Sequence, residues 1–351
     1  MISIRNLCIE LGDFVLRDAC LDIEDREYMV IVGPSGSGKT VLLESIAGLY
    51  PVKRGEVWLR GCDATVLKPE HRHVSIVYQD YSLFTHISAE KNILFGMRMR
   101  GMEKDEMKKS LDKMVDLFNI SHLLSRKPST LSGGEQQKIA LARALCVSPD
   151  VLLLDEPLSS LDPGTREDIE QELRNLHREL TVTILHVTHN FEEAIALGDR
   201  IAVIGGGKIM QVGTPEDIFR RPNSEFVARF AMARNIFYGR VVLSDRGDHM
   251  FKTGDSCFLI EKGRKGDRMV IRPEDIMVYP FNDGKNNNGK NCFPGTINRI
   301  NDKGSTLFVD VDIGIPVTAL VTRHACRESG LRTGMRVKIS CDPGSLHIFQ
   351  E

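Results

Sequence analysis

Apolar and polar positions alternate over residues 2–11 and 14–23, with Gly12-Asp13 between them, so the chain opens with two half-buried strands joined by a tight turn. Two later runs, 28–32 and 151–154, are apolar without alternation, the pattern of short strands buried on both faces of a parallel sheet, and 183–187 reads as another buried strand. Residues 55–60 and 74–78 add two further strands. Helical periodicity appears at 41–47, closed by Gly48, and at 103–118, where Met107, Leu111, Met114, Val115 and Phe118 fall on one face. Segment 131–146 is helical in composition, and Asp162-Pro163 starts a helix reaching about residue 180. Residues 200–204 and 208–212 form a hairpin around Gly205-Gly206-Gly207, and Thr214-Pro215-Glu216 starts a last short helix. These elements predict an α/β core with a helical insertion at about 88–148.

Past residue 235 the alternation of strand and helix stops. Short β-like runs at 239–243, 269–272, 295–299, 306–311, 317–321 and 337–340 predict a small barrel or paired barrels, with the asparagine- and glycine-rich stretch 281–291 as an exposed linker between two halves. The chain therefore divides into 1–235 and 236–351.

Between the buried strand at 28–32 and the helix at 41–47 stands Gly33-Pro34-Ser35-Gly36-Ser37-Gly38-Lys39-Thr40. A strand feeding a glycine-rich turn feeding a helix aims backbone N–H groups and the positive end of the helix dipole at one point, which suits a phosphate chain. Gly36 and Gly38 would let the backbone close on the β-phosphate, Lys39 would reach the β- and γ-phosphates, and Thr40 would offer its hydroxyl to Mg²⁺.

The run 151–156 ends in Asp155 and Glu156, at the carboxyl end of a strand where open α/β sheets place their ligands. Asp155 suits the Mg²⁺ shell, and Glu156 suits the orienting or deprotonating of a water. His189 ends its strand on the same edge, whereas His186 is out of phase and reads as structural. Ser132 and Glu135 form a capping box, which accounts for a well-capped helix. Gly133 and Gly134 in its first turn also leave N–H groups bare for an anion, and local pattern does not decide between the two.

At 42% apolar and 27% charged residues, the 351-residue chain has the composition of a globular protein of two or three domains. The formal charge of −2 gives no basic field for nucleic acid. Cysteines at 8, 20, 62, 146, 257, 292, 326 and 341 lack the close pairing of a zinc or redox site and fit a reducing compartment. The N-terminus has no signal-peptide layout and no apolar run is long enough to span a bilayer, so a cytoplasmic place is expected, with any membrane role exerted through a partner.

Taken in order, the stations resemble the nucleotide-binding subunit of ABC transporters. Residues 33–40 match Walker A, Gln79 the Q-loop, Leu131-Ser132-Gly133-Gly134-Glu135 the signature, 151–156 Walker B with its catalytic glutamate, Ser159-Ser160-Leu161-Asp162 the D-loop, and His189 the switch histidine. The resemblance implies an ATPase with ATP and Mg²⁺ as cofactors. Glu156, His189 and Gln79 would serve hydrolysis, and Thr40, Gln79 and Asp155 the metal. The nucleotide would lie on Gly33 to Thr40 and Val41, with Ser132, Gly133, Gly134, Glu135 and Asp162 brought by a second copy in a head-to-tail homodimer. Phe14 would stack on adenine, a core phenylalanine being the other reading.

Residues 80–87, Asp80-Tyr81-Ser82-Leu83-Phe84-Thr85-His86-Ile87, resemble the region that docks the transmembrane permease subunits, which would place the protein on the cytoplasmic face of the membrane and link it indirectly to an external substrate-binding protein. Thr85 stands where relatives commonly have proline, and Asn190 where they have aspartate. Ile271-Arg272-Pro273-Glu274-Asp275 and residues 293–349 resemble the oligomer-binding-fold (TOBE) and Mop-like tails of importer subunits, molybdate/tungstate importers above all. Sulfate, iron(III) or sugar importers and soluble ABC ATPases are the alternatives. Asp342 occupies the place of an oxyanion-binding lysine, so the tail is either a regulatory sensor or only a dimerising module.

Overall fold

Strands β1 (Ile2–Leu11) and β2 (Phe14–Ile23) pair antiparallel across the Gly12-Asp13 turn, and their alternating apolar faces are buried. A computed structural model describes residues 1–281 and 291–351 in two compact units, Met1–Pro215 and Glu216–Glu351. In the first unit β3 (Tyr28–Val32) leads through the glycine-rich loop to α1 (Lys39–Ala47), which Gly48 ends in the left-handed conformation. Then come β4 (Arg54–Leu59), β5 (Cys62–Asp63) and β6 (Val74–Val77).

The insertion supplies α2 (Ala89–Ile93), α3 (Phe95–Met99), α4 (Lys104–Phe118) and α5 (Gly133–Cys146). After it come β7 (Val151–Asp155), α6 (Pro163–Glu179), β8 (Thr183–Thr188), α7 (Phe191–Leu197), β9 (Arg200–Gly205) and β10 (Lys208–Gly213).

Six strands form one sheet in the order β10-β9-β3-β8-β7-β6, parallel except for the edge strand β10. Every residue of β3, β7 and β8 is buried, which is why these strands lack alternation. The antiparallel sheet β2-β1-β4-β5 shares a core with one face of the central sheet, through Ile2, Ile4, Leu7 and Leu16 on one side and Met29, Ile31, Leu153 and Leu185 on the other. Among the described residues no helix is long and apolar enough to cross a membrane.

The second unit contains short strands that the pattern does not predict, at Asn235–Tyr238, His249–Thr253, Ser256–Leu259, Ile276–Pro280 and His347–Phe349, and unpredicted helices at Glu225–Phe230 and Arg323–Glu328. The linker expected at 281–291 lies outside the described residues apart from its ends. The stretches before and after it are not separate barrels. Strand Arg268–Ile271 pairs with His347–Phe349, Ile276–Pro280 pairs with Arg336–Cys341, and one core runs from Phe237 to Ile348.

The unit begins near residue 216, ahead of the composition shift at 235, because Arg272 reaches back. Its buried guanidinium donates to the carbonyls of Phe219 and Ala231 and stacks 3.8 Å from the Phe219 ring centroid. Burial pulls this arginine down to about 10, and it remains charged at neutral pH.

Candidate functional site

Strands β3, β6, β7 and β8 run parallel, so their carboxyl ends meet at one edge. Val32 stands opposite Thr188 and Asp155 opposite Val187. Gly33, Glu156 and His189 therefore leave the sheet side by side.

In the loop, Gly36 and Gly38 have φ of 76° and 102°, where an L side chain is strained. The close approach at Gly38 is made by Phe14, whose Cζ would lie 2.4 Å from an added Cβ. A Cβ at Gly36 would meet no protein atom, leaving that side open for a ligand. Half-buried Phe14 thus sits at the loop and packs on the core as well. Ser37 Oγ is buried without a hydrogen-bond partner, a donor suited to a phosphate oxygen. Lys39 Nζ donates to the carbonyls of Gly33 (2.9 Å) and Pro34 (3.2 Å) and lies 3.9 Å from a Glu156 oxygen. Burial lowers its pKa, with Glu156 and Asp155 acting against the shift.

Thr40 Oγ1 donates to Asp155, at 3.0 and 3.2 Å from the two carboxylate oxygens. Burial raises the Asp155 pKa, and the Thr40 hydrogen bond partly offsets it. A hydroxyl and a carboxylate, both hard oxygen ligands, with burial acting against the carboxylate's charge, fit Mg²⁺.

Glu156 has φ of 47°, in the left-handed region, and its N–H donates to Val187 O at 2.8 Å. That geometry turns its carboxylate to 3.0 Å from His189 Nδ1. Gln79 is exposed and lines a groove with Tyr78, Asp80, Ser82, Asp155 and Ser160. Asp162 caps α6, accepting from Thr165 N at 3.1 Å.

Ser132 and Glu135 do form the capping box: Ser132 N–H donates to Glu135 at 2.7 Å, and Glu135 N–H to Ser132 Oγ at 3.3 Å. Gly134 has a packing reason too, since an added Cβ would lie 2.9 Å from Thr165 Cγ2. Among the described residues no hydrogen bond or ion pair joins 132–135 to the loop at 33–41.

Tyr81, which the sequence offered to a partner, is buried inside its own chain. Phe84 is half-buried against Phe95 at 4.4 Å, and Phe95 and Met99 extend an exposed apolar surface.

Sequence reasoning missed Glu193, buried beneath the His189 loop, where its carboxylate accepts from Thr188 Oγ1 (2.7 Å) and Asn190 Nδ2 (3.3 Å). The only trace of it is an acid in the first turn of a helix, a common surface pattern. Fully buried His186 bonds Tyr28 Oη at 3.1 Å, and burial pushes it down to about 3. The unfolded chain, with a histidine near 6.5, takes up a proton as pH falls through 6.5 while the folded chain does not. His186 should therefore make stability decline on acidification by up to about 1.4 kcal/mol per pH unit. Glu193, raised by burial, acts with the opposite sign. Denaturant melts at pH 6 and 5 are expected to show a shallower decline for His186→Gln than for the parent chain; equal declines would place the acid sensitivity elsewhere.

A parallel sheet with a glycine-rich loop, two acids and a histidine at one edge defines a P-loop nucleoside-triphosphatase. Residues 16–159 match the ABC transporter family and residues 288–348 the TOBE domain. Over 351 residues the chain is 40% identical to the molybdate/tungstate import ATP-binding protein WtpC of Pyrococcus horikoshii, covering 99% of this chain and all of that one. It is 37% identical over 349 residues to the xylose/arabinose import ATP-binding protein XacK of Haloferax volcanii, covering 96% and 89%. A dimeric ATP-binding cassette in a post-hydrolysis state bound to ADP and Pi superposes with a TM-score of 0.55 at 29% identity, over 61% of this chain and 99% of that one. The chain belongs to the ABC transporter ATP-binding family and is the ATP-binding, ATP-hydrolysing subunit of an importer.

Proposed function

We propose that this ATPase powers import of molybdate or tungstate through separate transmembrane subunits, as a head-to-tail homodimer at the cytoplasmic face of the membrane. The observation that carries the cargo is the identity to the Pyrococcus protein, which runs through the tail as well as the ATPase core. Residues 1–235 would hold the ATPase and 236–351 the β-rich tail.

Within the core, Lys39, Ser37 and the loop N–H groups would hold the β- and γ-phosphates, and Phe14 the adenine. Thr40 and Asp155, together with Gln79, would hold Mg²⁺, which when bound neutralises charge on the phosphates. Glu156 would orient a water and accept its proton as the water oxygen attacks the γ-phosphorus. The bond to the bridging oxygen then breaks, releasing ADP and phosphate. His189, at 3.0 Å from Glu156, would fix that carboxylate. Ser132, Gly133, Gly134, Glu135 and Asp162 would serve the partner copy's nucleotide, since within one chain 132–135 make no polar contact with the loop. The apolar surface around Leu83, Phe84, Phe95 and Met99 would receive the permease.

For the tail, Asp342 favours the architectural reading over an oxyanion sensor. Its carboxylate accepts from Gly344 N at 2.7 Å in a turn, and it would repel a dianion. Molybdate, tungstate and sulfate should each leave the ATPase rate of the full chain unchanged; inhibition by one of them would make the tail a sensor.

Uptake in cells carrying the Glu156→Gln chain tests the cargo. Molybdate and tungstate uptake should fall to background while sulfate, iron(III) and sugar uptake persist, and the chain should co-purify with an integral membrane protein from detergent extracts. Loss of a different uptake would reassign the cargo.

A further inference from the structure

Tyr81 follows Gln79 by two residues and is built into the chain in an unusual way. It and Ser82 are consecutive non-glycine residues with φ of 61° and 43°. For a ring as large as tyrosine that conformation is strained, and it persists only where the surroundings hold it. Arg143 of α5, the helix that begins at Gly133, does so: its guanidinium donates to the carbonyls of Tyr81 (2.9 Å) and Ser82 (2.8 Å) and lies over the Phe84 ring at 5.5 Å.

With the backbone turned this way, the Tyr81 ring goes inward and its hydroxyl meets Ser160 Oγ at 2.7 Å. Ser160 lies in the loop leaving Glu156. Its neighbour Ser159 is tied to the Glu156 carbonyl by both its N–H (3.2 Å) and its hydroxyl (2.9 Å). One hydroxyl pair thus joins the Gln79 loop to the segment that carries Glu156, and both loops line the groove beside Asp155.

We infer that Tyr81 is a positioning residue for hydrolysis, holding the Gln79 loop and the 156–162 loop in register through its bond to Ser160. This rests on the role proposed above for Glu156. The inward hydroxyl contacts no group of the nucleotide site itself, so its loss should reach the rate and not nucleotide affinity.

ATPase kinetics of the full chain test it, with Tyr81→Phe, Ser160→Ala, Ser160→Thr and the double variant Tyr81→Phe/Ser160→Ala. Tyr81→Phe keeps the ring and Ser160→Thr keeps the hydroxyl. Each single loss should lower kcat about 5-fold, the scale of one hydrogen bond, with KM for ATP unchanged. The double variant should be no slower than either single one, and Ser160→Thr should stay near the parent rate. Additive losses, an unchanged kcat, or a rise in KM matching the fall in kcat would overturn the inference. Glu156→Gln in the same assay separates the two levels: hydrolysis that survives it refutes the catalytic reading, whereas Glu156-dependent hydrolysis indifferent to Tyr81→Phe refutes the positioning role alone.

Discussion

Glu156→Gln is expected to lower kcat for ATP hydrolysis roughly 10²–10⁴-fold, the range of a lost general base, while ATP still binds. The amide is isosteric with the carboxylate and can still accept from His189 Nδ1, so the 3.0 Å contact and the left-handed backbone at 156 have no reason to change. What disappears is the capacity to take a proton, together with the negative charge 3.9 Å from Lys39. Lys39 is already disfavoured as a cation by burial, and the γ-phosphate would replace the lost partner when nucleotide is present. Single-turnover hydrolysis and equilibrium ATP binding should therefore part company in this variant. Hydrolysis at the parent rate would remove Glu156 from the chemistry.

Mixing two inactive variants should restore activity. Lys39→Ala removes the phosphate-binding cation, and Gly133→Asp puts a carboxylate where the partner's γ-phosphate would sit. The second change suits the fold, because an added Cβ at Gly133 meets only Leu161 Cδ2 at 3.5 Å and an acid is favourable in the first turn of a helix. In a head-to-tail pair, a mixed dimer has one site with both defects and one site with neither. Random pairing makes about half the dimers mixed, so about a quarter of the parent sites should be competent. If each chain instead completed its own site, the mixture would be as inactive as its components. The assay needs only rates for each variant alone and for equal mixtures unfolded and refolded together.

Much of the core was legible because its residues obey local rules. Continuous apolar runs marked β3 and β7, which are buried on both faces, and alternation marked β1 and β2, which are buried on one. The tail was less legible. Strands such as Ser256–Leu259 and His347–Phe349 span only four and three residues, too few to show a period, and their stability comes from partners distant in sequence. By its sequence Tyr81 belongs, with Leu83 and Phe84, to the stretch offered to a partner, and only Arg143, 62 residues away, explains why it turns inward.

By itself the sequence determined the order of the elements, the phosphate loop and the identities of Glu156, His189 and the capping box, since each follows from residue type and near-neighbour spacing. Tertiary structure decided how these meet. It set Glu156 against His189 through the register of β7 and β8, closed Phe14 over Gly38, buried Glu193 under the switch loop and drew Arg272 onto Phe219. Such contacts join residues whose separation in sequence carries no periodic signal, and their energies arise from burial and pairing that exist only once the sheet has formed.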